Sequence, residues 1–149
     1  MDRLFEAYVG KNARRSFGDW DVSLQDGGYY LFDEPQQFRL RPDIVMRKGE
    51  RTVILDTKWK SLVYNPRINF GISQGDMYQM YAYAKKYKTP EIWLLYPVNA
   101  EMRGHDDLNF ESVEKDDQGN VKAVEAKVRL FFVDCTDIEG SLAKLAAML

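Results

Sequence analysis

One cysteine and one histidine are all that the 149 residues offer of the softer metal ligands. A structural zinc site takes about four such groups, and a two-histidine nuclease centre of the HNH kind cannot be built from His105 alone, so both are excluded. His105 lies in the polar stretch from Met102 to Asp107 and is expected to be exposed. Cys135 has no partner for an internal disulfide, so nothing points to an oxidising compartment, and it is expected to be a small buried apolar group. Long apolar runs are missing too. No segment approaches the length of a membrane span, and the opening MDRLFEAYV carries an acid where a secretory signal needs a basic region. A cytoplasmic protein with no membrane association is expected. There is no Walker-type glycine loop, hence no nucleotide motor within the chain, and there are no internal repeats or low-complexity tracts.

Net charge is also small, at −2, which argues against strong nonspecific nucleic-acid binding by the chain as a whole. The charge is unevenly spread. Residues 1–88 hold 15 Lys and Arg against 11 Asp and Glu, whereas residues 89–149 hold 6 against 12. The basic half is the half with the motifs described below, and a bound cation would mask some of its acids. A merely solvated surface explains the asymmetry equally well.

With 45% hydrophobic and 13% aromatic residues, the chain can build one core, and a single domain over 1–149 is expected. Leu4, Phe5, Tyr8, Val9 and Ala13 recur at helical spacing, which predicts an amphipathic helix from Asp2 to Phe17 that stops at Gly18. WDVSLQ and YYLF flank Asp26-Gly27-Gly28, a turn signal that predicts a hairpin. Asp33-Glu34-Pro35 breaks the pattern, and a second hairpin is expected over Phe38–Val45 and Thr52–Trp59. Ser61–Ile72 reads as a loop. Ser73-x-x-Asp76 resembles a capping box for a helix to about Lys86. EIWLLYPV reads as a buried strand, LNFESV and VKAVEAKVRLFFV as hairpin arms, and Asp137–Leu149 as a final helix. This order predicts an α/β fold with a central mixed β-sheet flanked by helices.

Between Leu40 and Lys60 the chain reads LRPDIVMRKGERTVILDTKWK. Asp43 and Asp56 lie on two apolar runs joined by the turn Lys48-Gly49-Glu50, so the hairpin brings both carboxylates to one end of the sheet. Lys58, two residues after Asp56, shares its face because side chains alternate along a strand. Two anionic oxygen donors can hold a hard divalent cation, and a neighbouring ammonium can orient a water or offset charge on a phosphate. An ion pair without chemistry is the alternative.

Together with LFEAYV (4–9) and DMYQMYAYAKKY (76–87), the segments RPDIV and ILDTKWK resemble the PD-(D/E)xK nuclease superfamily, and within it the McrC-type nuclease domain of the 5-methylcytosine-specific McrBC restriction system. The resemblance spans most of residues 4–87. It implies a restriction-endonuclease-like core and a Mg²⁺-dependent DNA endonuclease, with Mn²⁺ as a substitute, that cuts phosphodiesters by attack of a metal-activated water. It further implies a McrB-like AAA+ GTPase partner, engaged through an N-terminal region that this chain does not carry. In the residues that match, Asp43, Asp56 and the backbone carbonyl of Thr57 would bind the metal, Lys58 would orient the nucleophile, and Glu6 and Gln79 would complete the outer shell. Glu6 could also complete the metal's own coordination or bind a second ion, or could instead be a solvated helix acid. Gln79 and Tyr83 share a helix face with Asp76 and either support the site or are ordinary helix positions; capping alone would explain Asp76. Lys60 and Arg41 are phosphate contacts or surface charges, and Trp59 should face away and pack. A repair or junction-cutting nuclease of the same superfamily, and a silent module that docks on a motor, are the alternatives.

Overall fold

The computed structural model describes residues 1–149. The chain opens on α1 (Asp2–Ser16), which buries Phe5, Val9 and Ala13. There follow β1 (Asp21–Leu24), β2 (Tyr30–Asp33), β3 (Gln36–Arg39), β4 (Ile44–Lys48) and β5 (Arg51–Thr57). After a 3₁₀ segment at Pro66–Gly71 come α2 (Gln74–Tyr87), β6 (Glu91–Pro97), β7 (Asn109–Lys115), β8 (Val121–Val133) and α3 (Ile138–Met148). No helix is long and apolar enough to cross a membrane.

Six strands form one mixed sheet in the order β1-β4-β5-β6-β8-β7. The pairs β1–β4, β4–β5 and β7–β8 are antiparallel, while β5–β6 and β6–β8 are parallel. Strands buried on both faces need apolar residues at nearly every position, and β6 has them: Ile92 to Tyr96 are all buried. The alternation sends Val45, Ile54, Ile92, Leu94 and Tyr96 towards Met80, Tyr83 and Ala84 of α2. It sends Ile44, Met46, Val53, Leu55, Trp93 and Leu95 towards α1 and α3, where Phe5, Val9, Leu142 and Leu145 meet them. The mixed sheet flanked by helices is therefore as the sequence predicts.

The first predicted hairpin is not formed. β1 pairs with β4, whereas β2 and β3 pair with each other in a separate two-stranded sheet. Asp26 explains why, because its carboxylate is held by one local and one distant partner. It accepts from the Gly28 N–H at 3.1 Å and from the Tyr87 hydroxyl at 2.6 Å, which ties the segment to α2 rather than folding it back on β1. The second hairpin is shorter than its pattern: Phe38 belongs to β3, and β5 stops at Thr57, before Trp59. Gly49 turns that hairpin with a φ of +61°, a conformation that favours glycine. Cys135 is exposed, not buried. His105 is half-buried rather than exposed, stacked on Tyr64 with ring centroids 4.0 Å apart.

Candidate active site

The register of β4 against β5 builds the centre. Ile44 stands opposite Leu55, so the next rung outward sets Asp43 against Asp56 at the end of the hairpin. The Asp43 N–H donates to Asp56 Oδ1 at 3.1 Å, and the Thr57 N–H and hydroxyl both donate to Asp43 Oδ2 at 2.7 Å. Asp56 continues the Ile54 face towards α2 and is 3% exposed. Past the strand end the Lys58 N–H still donates to the Leu95 carbonyl, which keeps its side chain over the same face. Lys58 Nζ lies 3.0 Å from Asp56 Oδ2, 3.0 Å from Gln79 Oε1 and 3.5 Å from Asp76 Oδ1.

All three groups are shifted upward, for different reasons. Burial raises the Asp43 pKa to about 6, helped by the charge of Asp56 and opposed by the bonds from Thr57. Burial raises Asp56 as well, against the pull of Lys58. For Lys58 burial works downward, but the Asp56 carboxylate, with Asp76 and Asp43, outweighs it and the net shift is upward. Two carboxylates at adjacent positions in a poorly solvated site repel each other, and a cation is the usual remedy.

α2 is aimed at this centre by its N-cap, Ser73, whose hydroxyl accepts from the Asp76 N–H at 3.3 Å. Gln79 meets Lys58 from one turn further on, and Tyr83 lies beneath it, fully buried, its hydroxyl without a partner and its pKa raised by burial. Glu6 of α1 borders the same cleft, but the Gln25 side-chain amide donates to it at 2.6 Å. Burial raises the Glu6 pKa, the Gln25 bond opposes this, and the charge of Asp43 adds to it. The cleft measures about 240 Å³, and Arg41 and Trp59 line it as well. Trp59 is partly exposed and packs on Phe5 of α1, ring centroids 5.4 Å apart, on the sheet face opposite α2 as the sequence predicts. Lys60 lies past the strand end, exposed and outside the cleft lining. A groove of about 570 Å³ between α1 and β1 shares Glu6 and Asp43 with the cleft. A further cavity of about 290 Å³ sits at the opposite end of the sheet, where Glu91 and Glu111 are each already paired, with Arg51 and Lys127.

The structure thus brings together Asp43, Asp56, Lys58, Gln79 and Tyr83, with Glu6 and Arg41 at the margin. Asp76, which its spacing set on the helix face of Gln79 but which capping alone would have explained, turns its carboxylate to Lys58. One participant escaped the sequence. Gln25 carries no signal, since it reaches Glu6 only because the backbone turns at a φ of +50°.

A six-stranded mixed sheet with helices on both faces, and an acidic pair at the end of its central hairpin, defines a mixed α/β fold with its candidate site at one sheet end. The model of a family described as McrBC 5-methylcytosine restriction system component matches residues 1–97, and the chain belongs to that family. Among solved structures, a chain of the assembly described as "Thermococcus gammatolerans McrB AAA+ hexamers with bound McrC" is similar over 100% of this chain, with a TM-score of 0.70 and 18% identity. This chain spans 33% of the length of that one. No curated protein matches.

Proposed function

We propose that the chain is the DNA-cleaving domain of a modification-dependent restriction system, a Mg²⁺-dependent endodeoxyribonuclease that Mn²⁺ also supports. The convergence of Asp43, Asp56 and Lys58 at one end of the sheet carries this reading. The donor set suits a hard cation. Both carboxylates are oxygen donors with raised pKa values, and no group of three or more His, Cys, Asp or Glu is clustered there. One or two carboxylates plus water are what Mg²⁺ ordinarily takes from a protein. Asp43, Asp56 and the Thr57 carbonyl would hold the ion, with Glu6 as a third acid once it leaves Gln25. When bound, Mg²⁺ supplies Lewis acidity to the phosphate and the attacking water.

The remaining work belongs to the chain. Lys58 directs the attacking water and offsets the negative charge that builds on the phosphate oxygens. Gln79 fixes the ammonium, and Arg41 and Lys60 meet flanking phosphates. The water oxygen bonds to phosphorus and gives up its proton, one bridging P–O bond breaks, and the departing alkoxide takes up a proton. Target choice and activation would come from an AAA+ GTPase partner in the cytoplasm, a reading supported by the solved assembly, in which McrC is bound to McrB AAA+ hexamers.

The test pairs binding with cleavage. Mg²⁺ should raise the melting temperature of the parent and leave that of Asp56→Ala unmoved. With the AAA+ partner, the parent should cut DNA carrying modified cytosine and the variant should not. An equal metal response in both proteins sinks the assignment.

A further inference from the structure

A lysine ammonium has three donors, and around Lys58 there are three acceptors: Asp56 Oδ2, Gln79 Oε1 and Asp76 Oδ1. The first belongs to one of the two carboxylates proposed to hold the cation. An ion drawn to Asp43 and Asp56 competes for that oxygen and repels the ammonium beside it. Held by Gln79 alone, a half-buried ammonium would keep one neutral acceptor, and its flexible stem would let it swing into water.

We propose that Asp76 is a positioning residue, the second counter-charge that keeps Lys58 at the reacting end once a divalent cation has taken over Asp56. The inference rests on the nuclease reading. Capping does not account for the Asp76 side chain. The bond to Ser73 uses only the backbone N–H, which any residue supplies, and the carboxylate turns instead to Lys58, half-buried. Asp76 and Gln79 are one turn apart on α2, so a single helix face presents a charged and a neutral acceptor to the same ammonium. Below them the Tyr83 and Tyr96 hydroxyls are buried without partners, so the floor of the site offers the ammonium no other anion.

The experiment follows the Lys58 NH₃⁺ resonance by ¹H–¹⁵N correlation NMR in the full chain, with Mg²⁺ alone as the probe. An ordered ammonium exchanges slowly with water and gives a signal; a solvated one does not. The parent should keep the signal at saturating Mg²⁺. Asp76→Asn should lose it on Mg²⁺ addition, Asp76→Glu should retain it, and Ser73→Ala, which removes only the cap, should retain it too. In cleavage with the AAA+ partner, Asp76→Asn should lower kcat by about 10- to 100-fold, the range for groups that orient ligands from behind, with KM for DNA near that of the parent. An unchanged Lys58 signal in Asp76→Asn, parental kcat, or the absence of an ordered signal in the parent overturns the inference. A parent that does not respond to Mg²⁺ at all removes the nuclease reading with it, whereas a responsive parent and an indifferent Asp76→Asn overturn this inference alone.

Discussion

At the scale of single residues, the site is a repulsion only partly relieved, by Lys58 at Asp56 and by Thr57 at Asp43. Asp43, raised to about 6 from an ordinary 3.8, holds its proton more tightly in the folded chain than in the unfolded one. Between those values the native state binds more protons, so the stability tied to this group is present at low pH and is lost as pH rises through about 6. Without divalent cation, Asp43→Asn should therefore melt above the parent at pH 7, with the gap closing as pH is lowered towards 4; urea titrations across that range check it, and a variant that melts lower at pH 7 refutes it. Added Mg²⁺ should reverse the order at pH 7, because only the parent can exchange the repulsion for coordination. The acids and lysine of this centre were legible in the sequence because register is arithmetic: two short apolar runs and a Gly turn set Asp43 against Asp56. Gln25 and the orientation of Asp76 were not, since neither follows from periodicity. One depends on a positive φ, and the other on which of two neighbours a carboxylate turns to.

At the scale of elements, periodicity located the helices well and misjudged pairing. α1, α2 and α3 fall within a residue or two of their patterns because each has an apolar stripe and two of them a polar cap, Ser73 and Asp137. Pairing failed at Asp26-Gly27-Gly28, where a local turn signal met a tertiary competitor, the Tyr87 hydroxyl, that lies far along the chain. α2 also separates support from chemistry. Ser73→Ala removes a side-chain acceptor at its N-terminus and should cost about 1 kcal/mol in denaturant unfolding. The Mg²⁺-induced rise in melting temperature should survive, since neither carboxylate moves; loss of that rise would mean that the cap positions the ion site.

At the scale of the whole molecule, the basic half carries the centre and the acidic half carries the sheet's far edge. A net charge of −2 gives the isolated chain little hold on DNA at about 0.15 M salt, where affinity rests on phosphate neutralisation. Cutting by the chain alone should be slow and rise steeply when the AAA+ partner, or a fused DNA-binding module, raises the local concentration. Cleavage rates in the two conditions decide it; fast, specific cutting of linear DNA by the chain alone would favour the repair-nuclease reading. The sheet has one further consequence. β8 is the last strand in the chain, yet it lies between β6 and β7, and through β6 it backs the strand that bears Asp56. A ribosome therefore releases Asp43, Asp56 and Lys58 well before the strand that completes their platform. Until β8 emerges, the apolar edge of β6 stays unpaired. The sheet beneath the centre is thus closed by a strand synthesised some seventy residues after the acids it supports.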